Sequence, residues 1–484
     1  MSQTAPQPAR RGLVMAAVFI ATFMTSVEVT IVTTALPSII SALNGLAMQS
    51  WIMSAYLLTT AITTPIYGKL ADAWGRRRIF QWGVLVFTLG SFLSGLAPTM
   101  PLLIAARAVQ GIGAGAVMPL TFTIIADYYS FRERAQVLAL NNTAWGLSAL
   151  VGPLIGGFLV DTLSWHWVFF VNVPLGLLVA VLIQVGYREK ARPAATLQVD
   201  WPGILWLAVS LVSLLLGIQM LARTPLAAAV LLVVAGIGLV LFIRTEKKRA
   251  DPLIAPTMFA NKTFSIQIAT AMILSGVLIG YQVYFPIWLQ SLYRIGATEA
   301  GFVVTSSSVM WLAASFFVGP LIARFVPKRI SLLIITVLLL AYASLTVAGL
   351  HFPMWTFYVI AMINGTGMGI VISMNTILSQ HLVPDTMVGS ATSVLTLGRS
   401  LGQTVMTGVY GAVLNMVIKA TRGPIPFARI NGVISAKGSR VAPTAAMDRV
   451  ILTGLHGVFI VVTVMLVACW WINWRDPQRT IIKQ

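Results

Sequence analysis

Runs of about twenty apolar residues recur along this whole chain, separated by short polar segments, and that recurrence limits the folds open to it more than any single residue does. Wound as an α-helix at about 1.5 Å per residue, such a run matches the roughly 30 Å hydrocarbon thickness of a bilayer. Hydrophobic residues make up 58% of the 484 and charged residues 9%, against roughly 25% charged in soluble domains, so most of the surface must face lipid. Dividing the chain by this rule predicts fourteen spans, at about 13–36, 50–68, 79–97, 101–125, 135–157, 167–186, 203–221, 226–243, 264–290, 299–322, 330–350, 354–380, 389–418 and 450–472. The opening MSQTAPQPARR has the basic flank of a signal sequence, but the apolar run behind it is too long for a cleaved one and reads as the first span. The expected fold class is therefore an all-α membrane protein.

A formal net charge of +19 raises the question of nucleic acid, which would need the basic residues gathered on one face or in one domain. They sit instead in short clusters between apolar runs, the pattern by which Lys and Arg orient a membrane protein. With both termini cytoplasmic, twenty-two Lys and Arg fall in inner segments, including Arg10, Arg11, the run Arg76 to Arg78 and Lys247 to Arg249. Eight fall outside, six of them in one long loop at 419–449, whose function the sequence leaves open between a hairpin and a lid. Arg107 and Arg399 lie within spans. The expectation is a multi-pass protein of the cell inner membrane with no nucleic-acid partner. Cys469 is the single cysteine, so no intrachain disulfide and no thiolate metal cluster is available.

An internal echo divides the chain. Gly68-Lys-Leu-Ala-Asp-Ala-Trp-Gly-Arg-Arg-Arg78 after the second span is matched by Gly319-Pro-Leu-Ile-Ala-Arg-Phe-Val-Pro-Lys-Arg329 after the tenth, with Ala323 where the first copy has Asp72. Degenerate repeats of this kind mark transporters built from two halves with a substrate site between them. The expected organisation is a six-helix bundle over 1–190, a linker with two additional membrane helices over 191–250, and a second six-helix bundle over 251–484 carrying the outer loop 419–449.

Four motifs then carry a specific resemblance. Gly68-x-Leu-Ala-Asp72-x-x-Gly75-Arg76-Arg77-Arg78 is similar to the cytoplasmic loop signature of the major facilitator superfamily. The glycines allow a tight turn, Asp72 can cap the next helix, and the arginines hold the loop inside. Arg107-Ala-Val-Gln110-Gly111-Ile-Gly113-Ala-Gly115 resembles the fourth-span signature of that superfamily, and an arginine in hydrocarbon, costing at least about 2.5–3.5 kcal/mol, needs a partner. Gly146-Leu-Ser-Ala-Leu-Val-Gly152-Pro153-Leu-Ile-Gly156-Gly157 looks like the fifth-span motif of its antiporters, with small residues for close packing and Pro153 freeing a carbonyl. Ser26-Val-Glu28-Val-Thr30 through Leu36-Pro37 looks like the first-span motif of drug:proton antiporters, with Glu28 where that motif has Asp. The runs Trp165-His166-Trp167 to Asn172-Val-Pro174 and Gly389 to Gln403 are similar to segments of the fourteen-helix branch, which usually has Arg where His166 stands.

The resemblance implies a major facilitator fold of two six-helix bundles plus two linker helices. It also implies a proton-coupled antiporter exporting small amphipathic compounds, cationic or neutral, by alternating access. The loop signature implies a latch between the halves, with Asp127 as the acid that pairs with it; Gly68, Asp72, Gly75, Arg76, Asp127, Gly152, Pro153, Gly156 and Gly157 are then gating candidates.

Glu28 is the one acid expected well inside a span, and counting residues puts it and Arg107 both roughly 20 Å deep, so the two can meet. Proton coupling is assigned to this pair, against the alternative of a permanent structural ion pair. Glu28, Tyr56, Trp145, Tyr281, Tyr284, Trp288, Trp311 and Arg399 are the substrate-binding candidates, aromatic rings stacking on planar cargo and Arg399 either binding an anionic group or pairing with a carbonyl. His456 reads as a helix contact rather than a proton relay. Asn364-Gly-Thr-Gly-Met-Gly369 is not a nucleotide loop, lacking a following Lys-Ser/Thr. No paired acids, metal-ligand cluster or nucleophile with a base suggests an enzyme. No cofactor is expected beyond the proton gradient, and no metal site. The same fold exporting a physiological lipid, peptide or metabolite is the rival reading, and an accessory adaptor protein is left open as a partner.

Overall fold

The computed structural model describes residues 8–129, 131–188, 201–221, 224–248, 256–383, 388–434 and 444–478, and places Gly68 and Asp72 in a helix by their backbone alone. Among the described residues every regular element is helical. The first group comprises α1 (Pro8–Ala42), α2 (Gln49–Trp74), α3 (Arg76–Leu96), α4 (Met100–Tyr128), α5 (Phe131–Thr162), the single turn α6 (Trp167–Phe170) and α7 (Asn172–Gly186). Next come α8 (Trp201–Met220) and α9 (Pro225–Lys248). The rest are α10 (Lys262–Leu292), α11 (Ala297–Ser315), α12 (Val318–Arg324), α13 (Pro327–Leu345), α14 (Met354–His381), α15 (Val388–Thr421), α16 (Phe427–Ile434) and α17 (Ala445–Trp474).

α3 shows how such helices form. Phe80, Val84, Phe87, Ser91 and Ser94 recur every three or four residues and are buried, while Trp82, Leu89 and Leu96 on the other side are 61%, 51% and 55% exposed. An exposed apolar face this long is unstable in water and at home in lipid, and the chain is a multi-pass membrane protein. Twelve described helical segments are long and apolar enough to cross a membrane, and α11 with α12, bent by 51°, is together long and apolar enough for a thirteenth. The second expected span is α2, whose 26 residues suffice in length but include Thr59, Thr60, Thr63 and Thr64. Each of those hydroxyls donates to a carbonyl one turn earlier at 2.7–2.8 Å, so the helix carries its polarity without unmet bonds. The sixth expected span is a broken one, α6 followed by α7, with the turn at Val171.

Within α1 to α7 the closest packing is of α4 on α2 and α3 and of α1 on α5 and α7; within α10 to α17 it is of α10 on α15 and α17, α11 on α14 and α13 on α17. The two groups meet where α5 lies on α11, α2 on α15 and α1 on α10. Hydrogen bonds join them from Gln290 Nε2 to Thr34 O (3.2 Å), and from the Thr298 N–H and hydroxyl to Asp161 Oδ2 (2.9 and 2.7 Å). These lie toward the face opposite the start of α1. On that same face the short amphipathic α16 buries Ile430, Val433 and Ile434 against α1, α10 and α17. It is held by Arg294, which donates from Nη1 to Val433 O (3.0 Å) and from Nη2 to Asp448 Oδ1 (2.6 Å). The expected loop at 419–449 thus contains a helix.

α8 and α9 pack on each other, with Ser210 Oγ donating to Ala235 O (2.9 Å). The α8 stripe Leu207, Leu211 and Leu215 joins Phe242, Leu58 of α2 and Leu401 of α15 in one apolar cluster. This pair therefore lies over the α2/α15 seam.

Candidate functional site

Glu28 and Arg107 are both fully buried, on α1 and α4, and form an ion pair through Glu28 Oε1 and Arg107 Nη1. Close approach of three helices makes the meeting feasible. A side chain on Gly90 would run into the Gln110 backbone, and one on Gly111 into the Tyr56 carbonyl and Thr59 hydroxyl, so glycine at both lets α2 and α3 press against α4. The charges are not alone. Asn172 Nδ2, from the first residue of α7, donates to Glu28 Oε2 (2.5 Å) and to Ser91 Oγ (3.2 Å). Arg107 also donates to Gln110 Oε1 (2.6 Å) and, through Nε, to Ile52 O (3.1 Å), and its guanidinium carbon lies 4.5 Å from the Tyr56 ring centre. Ser91 accepts from Gln110 Nε2 (3.1 Å) and donates to Phe169 O (2.9 Å), using its one donor and two acceptor sites fully.

This geometry has a chemical consequence. A buried pair is stable only when its remaining donors and acceptors are matched. Here the carboxylate has two cationic or amide donors, and the guanidinium keeps two neutral acceptors and an aromatic face that do not depend on Glu28. Arg107 would thus remain held if Glu28 took up a proton. The orphaned Arg107 Nη2 and Asn172 Oδ1 are the unmatched atoms of the cluster.

The loop signature is arranged differently. Gly75 joins α2 to α3 at φ 95°, a conformation that disfavours any side chain. Arg76 Nη1 bonds Asp127 Oδ1 (2.8 Å) and Thr123 O (2.9 Å), and Tyr187 OH donates to Asp127 Oδ2 (2.6 Å). The acid expected to pair with this loop does so, through Arg76, and the bonds described tie α3, α4 and the end of α7 within one helix group. The side chain of Asp72, like Gly68, falls outside the described residues.

α5 is where small residues and a proline meet both groups. Side chains on Gly152 and Gly156 would strike Thr30 and the Ile31 carbonyl of α1, while one on Gly157 would strike Ala297 and Thr298 of α11. Pro153 has no N–H, so the Ala149 carbonyl one turn earlier lacks its helical partner. Ser308 Oγ of α11 donates to that carbonyl at 2.5 Å, and Thr305 Oγ1 to Leu150 O at 3.1 Å. A bond missing inside one helix has been replaced by a bond between the two groups.

The aromatic candidates divide. Tyr281, Tyr284 and Trp288, expected on a cavity wall, are at most 2% exposed and pack inside the second group, Trp288 against Phe357, Phe459 and His456. Tyr56 lies under Arg107, Trp311 is partly buried at the core's edge, and Trp145 is 44% exposed. His456 bonds Ala348 O (2.9 Å), and Arg399 Nη2 bonds Ile372 O (2.9 Å) and Thr376 Oγ1 (2.8 Å). Three members of the charged cluster, Asn172, Gln110 and Ser91, carried no assigned role in the sequence. Gln110 and Asn172 stand inside motifs, and a lone amide in an apolar run was the available signal.

Comparison with known proteins follows the same lines. The profile of the Major Facilitator Superfamily matches residues 18–407. The chain is 31% identical over 420 residues to Multidrug resistance protein 3 of Bacillus subtilis (strain 168), covering 85% of this chain and 81% of that protein. It is 32% identical over 410 residues to Multidrug transporter protein MdtP of the same organism, covering 84% and 76%. A solved bacterial homolog of the human lysosomal transporter Spinster superposes with a TM-score of 0.69 at 16% identity, covering 97% of each chain.

Proposed function

Because this chain belongs to the Major Facilitator Superfamily, a family of transporters and not of enzymes, we propose that it is a proton-coupled antiporter exporting small amphipathic molecules by alternating access. The single observation that carries the coupling is Glu28. Among the described residues it is the one acid more than about a turn from a helix end, and it is fully buried with a cation beside it. Acids at membrane depth mark proton pathways. In this reading Glu28 carries the proton, Arg107 and Asn172 hold its charged form, and the α5/α11 seam opens and closes around it.

The basic loops support a cytoplasmic start of α1 and end of α17 in the inner membrane, and in that orientation the Gln290 and Thr298 bonds join the two helix groups on the exterior side. The division into bundles over 1–190 and 251–484, with 191–250 as linker, gives two bodies that rock against each other. Export of drugs is the cargo class supported by relatives named as multidrug transporters. One proton moving down about 100 mV and one pH unit releases about 3.7 kcal/mol, enough to sustain a several-hundredfold gradient of a neutral compound. A cationic cargo would need a free carboxylate in the cavity, whereas Glu28 is engaged by Arg107 and Asn172.

The test is transport by proteoliposomes under an imposed pH gradient. Glu28→Gln, nearly isosteric, is expected to abolish gradient-driven export of a lipophilic dye while leaving gradient-independent exchange intact. Undiminished gradient-driven export by that variant refutes the assignment.

A further inference from the structure

Two arginines lie within the spans, and they are treated in opposite ways. Arg107 has a carboxylate, a side-chain amide, a carbonyl and an aromatic ring. The bonds described for Arg399 reach only neutral oxygens, the Ile372 carbonyl and the Thr376 hydroxyl, through the single atom Nη2. Its Nε is buried without an acceptor. Among the described residues no salt bridge involves it. It stands about 16 Å along α15 from Val388, inside a membrane helix where an arginine needs a partner or hydration.

Two strips of polar side chains surround it. Thr396, Arg399 and Gln403 follow i, i+3, i+7 spacing on α15, and Ser373, Thr376 and Gln380 follow the same spacing on α14; all six are partly exposed. The Arg399–Thr376 bond joins the strips. Other faces of α15 are spoken for, with Gly398 and Gly402 against Ile268 and Met272 of α10 and Leu401 in the cluster with α2 and α8. Partly exposed polar strips around an arginine are unfavourable against hydrocarbon, which favours an orientation toward the interior between the helix groups. Since Glu28 and Arg107 cancel, the uncompensated embedded charge of the described spans is positive.

Resting on the transport reading above, we infer that Arg399, with Thr376 and Gln403, forms an anion-recognition subsite in the transport cavity, and that the favoured cargo is an amphipathic molecule bearing a carboxylate or similar anionic group. Nε is a buried donor still without an acceptor, which an oxyanion entering beside the guanidinium would supply. The nearby hydroxyl and amide supply neutral contacts to the rest of the polar head.

The experiment is equilibrium binding to the full chain in lipid nanodiscs, using a rhodamine carboxylate and its methyl ester, which share one aromatic body. Wild type is expected to bind the carboxylate about tenfold more tightly than the ester, in line with a hydrogen-bonded charge pair in a partly dry site. Arg399→Gln should bind both equally, and Arg399→Lys should keep part of the preference; equal unfolding temperatures would exclude misfolding as the cause. Repeating the titration with phosphatidylglycerol in the disc distinguishes sources. If that lipid competes with the dye in wild type and not in Arg399→Gln, the occupant is a lipid headgroup; if it does not compete, the occupant is a soluble organic anion. A wild type that does not discriminate, or an Arg399→Gln variant that still does, overturns the inference. Binding is read at equilibrium with no gradient imposed, so failure of proton coupling and failure of this subsite are read separately.

Discussion

At the scale of single residues, the site around Glu28 stands on matched charge. Removing one member of a buried, hydrogen-bonded pair strands the other, which typically costs about 3–5 kcal/mol, whereas a neutral isostere keeps most of the bonds. Arg107→Ala is therefore expected to unfold several degrees below wild type in detergent, and Glu28→Gln to lie much closer to it. Equal melting of wild type and Arg107→Ala would mean the pair bears no structural load. Outside the spans, His166 stacks on Trp165 at 3.8 Å, and desolvation lowers its pKa from the ordinary 6.5. The folded state thus favours the neutral ring. The unfolded chain binds the proton first as pH falls, so this position contributes stability above about pH 6.5 that is lost as pH drops toward the folded pKa. His166→Gln should flatten that part of the melting-temperature profile between pH 7 and 5.

At the scale of elements, the joint between α5 and α11 makes the sharpest claim. Ser308 satisfies the carbonyl that Pro153 leaves open, and Asp161 meets the first turn of α11 from across the seam. Ser308→Ala removes a bond worth about 1 kcal/mol and leaves the carbonyl bare, so the closed-to-open ratio of the seam should fall by a factor of about five. Spin labels at the exposed positions Leu163 and Glu299 would report this as a longer or broader distance distribution, and an unchanged distribution would rule the joint out as a determinant of closure. α16 offers a second element-scale prediction. Arg294→Ala cuts the bond to Val433 and the one to Asp448 of α17 that orients the arginine, and hydrogen exchange over 427–434 should accelerate at least tenfold, while exchange in α3 stays constant.

At the scale of the whole molecule, length and hydropathy make the spans readable, and counting residues along them brings Glu28 and Arg107 to one depth. The limits are physical. In a helix whose faces are all apolar, no amphipathic pattern tells which face meets protein, so Tyr281, Tyr284 and Trp288, one face of α10, read as a cavity wall although they point into the packed interior. Asn172 was visible as a polar residue in an apolar run, but its pairing with Glu28 spans 144 positions, and only the fold brings them together. α16 was hidden because eight residues are too few to stand out from a loop.

The pair α8 and α9 packs outside both helix groups, and its placement bears on traffic. By lying over the α2/α15 seam it closes one flank of the molecule to the surrounding leaflet, while α5 and α11 carry no comparable cover among the described helices. An oily compound drifting in the bilayer meets two layers of helix on one side and a single joint on the other, so lateral entry, where the α5/α11 joint parts, is one-sided.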